Sequence, residues 1–303
     1  MKKIYYSVFF LVFYVLSVQG QVKPAIDESS FKFQGDKVEG FTTTIPFVNP
    51  DDVQKSWIKA IQKGSKQKAV VSGSSEISID QALLKAISDS TLNIYSRIES
   101  TDTAVYLFSA FKMYSGDFIQ PGTFSSEATL ARKFLFDFAK SQYSETLKDE
   151  LKTEESKLKD LEKELKKMIK DKDGMEKEIA KYNNDILKAQ DEISGYEHDL
   201  GLKQDELGDQ KRGLAAIPAT NTEAVKEQKA AVKSVEKDKK KIYRSIKKNQ
   251  KKIVGYNNKI QQLEMNIQTN LADQEKQRER IIEQSGVVQK ASARMETLKN
   301  MKL

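Results

Sequence analysis

The residues that could carry acid–base or metal chemistry in this chain are a single histidine, His198, and two adjacent carboxylates, Asp51 and Asp52. One histidine in a chain without cysteine cannot supply the nitrogen and sulfur ligands of a typical zinc site. His198 also has no nearby nucleophile that it could activate. Asp51 and Asp52 directly follow Asn49-Pro50, which is typical of a helix start with a capping asparagine and acids in the first turn.

Other catalytic patterns are also missing from the sequence. It contains no phosphate-binding glycine loop, no paired-histidine metal motif and no nucleophile elbow. The absence of cysteine excludes disulfides, a cysteine nucleophile and a lipid anchor on an N-terminal cysteine. We therefore predict no catalytic, metal-binding or cofactor-binding residues, no cofactor, and a protein that is not an enzyme.

The most concentrated charge is the basic run 237–252. One interpretation is the solvated flank of a coiled coil, partly neutralised by an acidic partner helix. The other is a surface that binds an anionic polymer or lipid. The candidate residues for such a surface are Lys240, Lys241, Arg244, Lys248, Lys251 and Lys252. Nucleic acid is not an expected partner, because an exported protein rarely meets it.

Export is predicted from the first twenty residues. Lys2 and Lys3 precede an apolar stretch from Ile4 to Val18, and Val18 and Gly20 are small enough for the −3 and −1 positions of a signal-peptidase site. The apolar stretch is too short for a bilayer of about 30 Å. We expect a cleavable signal peptide over 1–20, a periplasmic or secreted protein, and no transmembrane segment after cleavage.

Residues 21–38 are polar and are predicted to form a leader, and residues 39–144 a small α+β domain. Its sheet is predicted to be antiparallel with helices on one face. The helix after Asn49 carries an apolar stripe that includes Trp57, which we assign to the core. The predicted strands are 40–47, 68–72, 75–79, 92–98 and 104–113, the last two as a hairpin. Aromatic residues in 106–118 partly alternate, so one face is expected to fill the core and the other could line a groove.

Residues 145–303 are predicted to form a long antiparallel α-helical coiled-coil hairpin. Stepping from Leu147 alternately by four and three reaches Leu207 with apolar residues at fifteen of eighteen positions. A second heptad pattern runs from Val225 to Ile267. Apolar residues after it, including Leu271 and Ile282, do not keep its phase, which predicts a stutter near residue 270. The course of 270–303 is left open: it could pack back on the domain.

The tip of the hairpin is predicted near 213–220, where Pro218 interrupts the two patterns. Thr220 and Glu223 are expected to restart the helix as a capping box. Residues 145–213 have a net charge of −5 and residues 214–303 of +10, which favours pairing of the two arms with each other. Facing positions should sum to about 436, with Asn249 opposite Ala189 and Tyr256 near Tyr182.

This architecture predicts a non-enzymatic envelope protein that acts as a structural or adaptor scaffold. Its coiled-coil arm, roughly 100 Å long, would dock on a protein partner through Leu214, Ile217 and Pro218 at the tip. An alternative is a periplasmic holdase-type chaperone with coiled-coil arms. A third is a ligand-binding or enzymatic α+β domain, which requires a pocket with convergent polar groups.

Overall fold

The computed structural model describes residues 23–73 and 75–303. The predicted signal peptide lies outside them. The described residues form, in chain order, β1 (Ala25–Phe33), β2 (Asp36–Pro46), α1 (Pro50–Gln62), β3 (Val70–Ser72), β4 (Glu76–Ala82), β5 (Leu92–Ser100), β6 (Ala104–Lys112), α2 (Ser125–Ala216) and α3 (Thr222–Asn300). The predicted fold class, an antiparallel sheet followed by a helical hairpin, is confirmed.

The strands form one antiparallel sheet in the order β1-β2-β6-β5-β4-β3. The predicted hairpin of β5 and β6 is present, with Ile94 opposite Phe111 and Ile98 opposite Leu107. The leader predicted over 21–38 is wrong, because β1 and the start of β2 lie there as a hairpin at the sheet edge. β1 escaped detection because only three of its nine residues are buried, and polar residues occupy its centre.

One face of the sheet packs against helices, as predicted. Val53, Trp57 and Ile61 of α1 are fully buried on it, and so are Ala131 and Leu135 of α2. Asn49 caps α1 by accepting a hydrogen bond of 2.9 Å from the backbone N–H of Asp51. These contacts confirm the helix start and the core position of Trp57.

The opposite face of the sheet carries an aromatic cluster, formed by Phe31, Phe33, Tyr95, Phe108 and Phe118. The ring centroids of Phe31 and Phe108 are 5.6 Å apart, and those of Phe33 and Tyr95 are 5.2 Å apart. The Arg97 guanidinium lies 5.3 Å from the Phe108 centroid. The aromatic residues of this face therefore pack on one another, with a cation above them.

The described part of the chain divides into two compact units. One comprises the described residues up to Glu155 together with Val287–Leu303, and the other comprises Ser156–Gly286. In the first unit, Leu298 near the end of α3 is buried with Tyr143 and Leu147 of α2. Lys140 Nζ donates to the carbonyl oxygens of Lys299 and Met301 at 3.0 and 2.8 Å, so a cation lies at the C-terminal end of α3, where it is favourable.

The second unit is the helical hairpin, and its first arm follows the predicted pattern. Within Ser156–Gly286, every position that the heptad stepping assigns to the α2 seam is at least half-buried, from Leu158 to Leu207. The rings of Tyr182 and Tyr256 stack at 5.6 Å, as the fold-back arithmetic predicted. Gln210 with Gln228, and Leu161 with Gln277, are also in contact, so facing positions sum to 438 along the hairpin.

The stutter predicted near residue 270 is wrong. The alternate stepping by three and four continues through Asn270, Gln274, Gln277, Ile281 and Gln284, all at least half-buried. Gln274 and Gln277 are each only 2% exposed, whereas Leu271 is 42% and Ile282 73% exposed. The heptad phase could not be followed in the sequence beyond Ile267, because amides occupy the seam here and the nearby apolar side chains point outward.

The restart of the helix at the tip also differs from the prediction. Asn221, and not Thr220, precedes α3, and its side-chain oxygen accepts a hydrogen bond of 3.2 Å from the backbone N–H of Ala224. The Val225 N–H donates to the Asn221 carbonyl at 3.1 Å. Either residue type can cap a helix, and the turn after Pro218 decides which one occupies the capping position.

Candidate functional site

The tip of the hairpin places the three predicted partner-binding residues close together. Leu214 lies in the last turn of α2, and Ile217 and Pro218 begin the connection to α3. Leu214 and Ile217 are half-buried, and Pro218 is exposed. The Asn221 N–H donates to the Pro218 carbonyl at 3.0 Å, which closes the connection as a tight turn.

Polar contacts hold the two helices together immediately below this turn. The Gln228 side-chain N–H group donates to the carbonyl oxygen of Gln210 at 2.9 Å and to its side-chain oxygen at 2.6 Å. Lys211 and Glu236 form an ion pair of 3.6 Å between the helices. The turn is therefore anchored on both sides, and a small patch with two apolar side chains lies at its apex.

The six predicted basic residues all lie on exposed positions of α3, but they do not form one group. Lys241 pairs with Asp238 on its own helix at 2.8 Å. Lys252 lies beside the seam, 4.0 Å from Glu192 of α2. The other four, Lys240, Arg244, Lys248 and Lys251, lie on the side of α3 that faces away from α2. The structure thus separates them by orientation, which the sequence alone did not reveal.

His198 is exposed on α2. Across residues 23–73 and 75–303, no group of three histidine, cysteine or acidic side chains is placed to hold a metal ion. Asp52 is exposed and its nearest cation is Lys55, one turn along α1 at 3.8 Å. The position of Asp51 and Asp52 in the first turn of α1 accounts for both residues.

The two larger clefts described in the first unit lie beside the sheet. A polar cleft of about 630 Å³ lies between α1 and α2 and mixes carboxylates with lysines, among them Asp52, Lys55, Glu145 and Asp149. A more apolar cleft of about 530 Å³ lies at the end of α1, lined by Leu83, Leu84 and Phe134 among others. Both volumes fall within the range of ligand pockets.

The aromatic residues of 106–118 were predicted to divide between the core and a groove. In the structure some lie in the core, others in the aromatic cluster, and one in an exposed turn. Phe111 is fully buried on the helix-facing side, whereas Phe108 and Phe118 belong to the aromatic cluster on the other side. Tyr114 is 92% exposed in the turn after β6. Sequence reasoning missed Phe31 and Phe33, which complete the cluster, because β1 was not recognised; their i, i+2 spacing was the available signal.

The sequence predicts that Asn249 of α3 lies opposite Ala189 of α2, and the structure places them at the same level of the seam. Asn249 is buried in the seam at the level of Ala189, which is also buried. Its side-chain N–H donates to Glu192 at 2.7 Å. The small Ala189 leaves room for the amide, and Glu192 on the next turn satisfies it.

Comparisons with known proteins add little to this geometry. No known protein family and no curated protein matches the chain. Among solved structures, a match was found to the Smc head domain with a coiled coil and joint from Pyrococcus yayanosii, at 16% identity, with a TM-score of 0.26, over 91% of this chain and 70% of that one. At that TM-score the likeness carries no functional argument. None of the described helices is both long enough and apolar enough to cross a bilayer.

Proposed function

We propose that this protein is a non-enzymatic, exported scaffold of the cell envelope whose helical hairpin docks on a protein partner through its tip. The observation that carries the proposal is the unbroken pairing of the two arms. Their facing positions keep the same sum from Leu161 and Gln277 to Gln210 and Gln228. Because the register is constant over many heptads, the hairpin is suited to hold its tip at a fixed distance along its own axis.

Polar seam contacts support a hairpin with one defined register. Asn249 bonds to Glu192, and Gln277 donates at 3.0 Å to both the Leu161 carbonyl and Glu164. A slip of either helix would leave these buried amides without partners, at a cost of about 1–3 kcal/mol for each group. These amides make the seam less hydrophobic, but they fix the alignment of the two helices, as a scaffold requires.

The tip offers chemistry that suits a protein partner. Leu214, Ile217 and Pro218 are apolar and lie at a turn where no further residue of the hairpin covers them fully. A few residues that enter well-packed pockets commonly supply most of the binding energy of an interface. The partner is expected to present a shallow apolar groove.

The test begins with a photo-crosslinking amino acid at Ile217 in cells that express the protein. A matched probe at Asn184, an exposed position on the side of α2, is the control. The proposal expects one protein to be captured from the tip probe and not from the side probe. It also expects the purified captured protein to bind the wild type and to lose binding to Ile217→Asp. Equal capture from both positions argues against tip docking.

A shortened hairpin tests whether the distance to the tip matters. Because facing positions sum to 438, deletion of 169–175 together with 263–269 removes one matched heptad from each arm. The heptad phase is kept on both sides of each deletion, so the hairpin should fold. The proposal expects the shortened protein to bind its purified partner in solution but to lose engagement in the envelope. Full function of the shortened protein in cells contradicts the scaffold role.

A further inference from the structure

The outer side of α3 carries an uninterrupted row of cations in the second unit. In the heptad letters a to g, with a and d at the seam, Asn249 occupies d and Ile246 occupies a. The f positions then lie farthest from α2, and the b positions lie next to them on one side. From 233 to 251 every b and f position is Lys or Arg. We name this row the basic ridge, which comprises Lys233, Lys237, Lys240, Arg244, Lys247 and Lys251.

The ridge is not neutralised within the hairpin. All six side chains are exposed, and none of them forms an ion pair in the described part of the chain. The acids of this stretch of α3 are used elsewhere: Glu236 pairs with Lys211 and Asp238 with Lys241. Carboxylates of α2 are screened from the ridge, because a helix about 10 Å in diameter lies between them and the Debye length is about 8 Å at physiological salt.

The ridge is long and chemically uniform. Its eighteen residue steps span about 27 Å at 1.5 Å per residue, with a cation at each turn. No apolar or aromatic side chain occupies a b or f position between its ends. The ridge itself therefore offers charge alone, and an exposed aromatic residue, Tyr243, lies beside it at an e position. Its binding is expected to be electrostatic and sensitive to salt.

A second copy of the chain does not fit this surface. At the same level of the hairpin, the b and f positions of α2 carry a mixture of small, apolar and polar side chains with two carboxylates, Asp191 and Asp205. That face cannot match six cations. Single-stranded nucleic acid is bound by positively charged grooves with aromatic platforms, whereas the ridge is the convex side of one helix and has no aromatic residue.

We infer that the basic ridge is a docking surface for an anionic lipid bilayer, on which α3 lies against the phosphate headgroups. A straight row of cations on one side of a helix can reach a flat surface all at once. Each Lys or Arg near an anionic membrane adds favourable energy, so six together give firm but reversible attachment. This attachment is independent of the proposed docking at the tip.

The experiment measures binding of the purified protein to vesicles of phosphatidylglycerol and phosphatidylcholine in equal amounts. Vesicles of phosphatidylcholine alone, duplex DNA and polyphosphate are compared in parallel. The ridge variant replaces Lys237, Lys240, Arg244 and Lys251 by Gln. The matched control replaces Lys167, Lys177, Lys181 and Lys188 of α2 by Gln. Both variants lose four positive charges, and all eight residues are exposed and away from the seam.

The inference expects salt-sensitive binding to the anionic vesicles and little binding to the neutral ones. The ridge variant should bind on the order of 1000-fold more weakly, whereas the control should change by less than about threefold. A second variant that exchanges Lys for Arg and Arg for Lys at the four ridge positions should bind as the wild type does. Equal helicity by circular dichroism establishes that all variants are folded.

Three results overturn the inference. The first is an equal loss of binding in the ridge variant and the control, which means that only net charge matters. The second is no binding of the wild type to anionic vesicles. The third is tighter binding to DNA or polyphosphate than to vesicles, which assigns the ridge to a polymer. The crosslink from Ile217 should persist in the ridge variant, so that failure of tip docking can be distinguished from failure of the ridge.

Discussion

The indole N–H of Trp57 donates a hydrogen bond of 2.9 Å to the hydroxyl of Ser96, inside the core between α1 and the sheet. Ser96 of β5 lies opposite Ser109 of β6 in the strand ladder. The Ser109 hydroxyl is buried and has no hydrogen-bond partner in the described residues, and the same holds for Thr43 on β2. The Ser96 hydroxyl therefore stabilises the core through a hydrogen bond, whereas the Ser109 hydroxyl is buried without one and lowers stability.

These two serines give the first prediction. Ser96→Ala leaves the buried Trp57 N–H unpaired and should lower the free energy of unfolding by about 1–3 kcal/mol. Ser109→Ala removes an unpaired hydroxyl and should leave the free energy of unfolding unchanged or raise it. Fluorescence of Trp57, the single tryptophan, follows the unfolding of the sheet domain in urea. Equal destabilisation by both substitutions would contradict the role of the hydrogen bond.

The second prediction concerns Gly40, where β2 approaches β6 closely. A Cβ atom at this position would lie 2.2 Å from the carbonyl oxygen of Ser109, which is backbone and cannot rotate away. Gly40→Ala should therefore destabilise the sheet domain by about 1–3 kcal/mol or more. Gly122→Ala is the control, because a Cβ there meets no atom within 4 Å. The same urea titration should find the control within about 1 kcal/mol of the wild type.

The third prediction concerns Asn249 in the hairpin seam. Replacement by Leu removes a buried amide, and Glu192 remains largely solvated because its side chain is 54% exposed. Asn249→Leu should increase the free energy of unfolding of the hairpin by roughly 1 kcal/mol and so raise its thermal midpoint. The substitution should also weaken the preference for one register. Circular dichroism at rising temperature measures the first effect and light scattering detects new oligomers. A lower midpoint with no change in assembly would count against this view of the seam.

The fourth prediction concerns alkaline pH. Burial raises the pKa of the Tyr143 hydroxyl above 10.0, its ordinary value, although the nearby Arg294 acts in the opposite direction. As pH rises past about 10, the unfolded chain loses this proton before the folded protein does, so the free energy of unfolding decreases. Tyr143→Phe should show a smaller decrease than the wild type between about pH 9 and about pH 11.5.

The control for this pH effect is Tyr114→Phe, because Tyr114 is 92% exposed and its hydroxyl meets water in both states. Its urea titrations should follow those of the wild type across the same pH range. If Tyr143→Phe loses as much stability as the wild type, the burial of Tyr143 does not control the alkaline response.

The heptads show where prediction from sequence succeeds and where it stops. The seam from Leu158 to Leu207 and from Val225 to Ile267 was predicted residue by residue, because apolar side chains at regular spacing leave only one face of a helix to bury. The method failed beyond 267, where Gln274 and Gln277 occupy the seam. An amide is buried only if a partner is present. The partner of Gln277 lies on the other arm, more than one hundred residues away in the chain, and that of Gln274 is Asn270, another polar residue of the seam.

The N-terminal strand shows the same limit for the sheet. Phe31 and Phe33 alternate as strand residues do, but the polar centre of β1 obscured the pattern. An edge strand needs burial on only part of one face, so its composition resembles that of a loop. Its assignment depends on pairing with β2, which sets Phe31 opposite Val38.

Local periodicity and charge in the sequence by themselves determined the α+β domain, the two-armed hairpin, its tip near Pro218 and the lack of catalytic motifs. The tertiary structure alone decided which cations pair with the other arm. In the sequence, the run 237–252 is a mixture in which any lysine could pair with the acidic arm. Only the register of the two arms places Lys252 beside Glu192 and leaves Arg244 of the ridge without an ion pair in the described residues. The physical reason is that charge neutralisation depends on distance in space, which the order of residues along the chain does not specify.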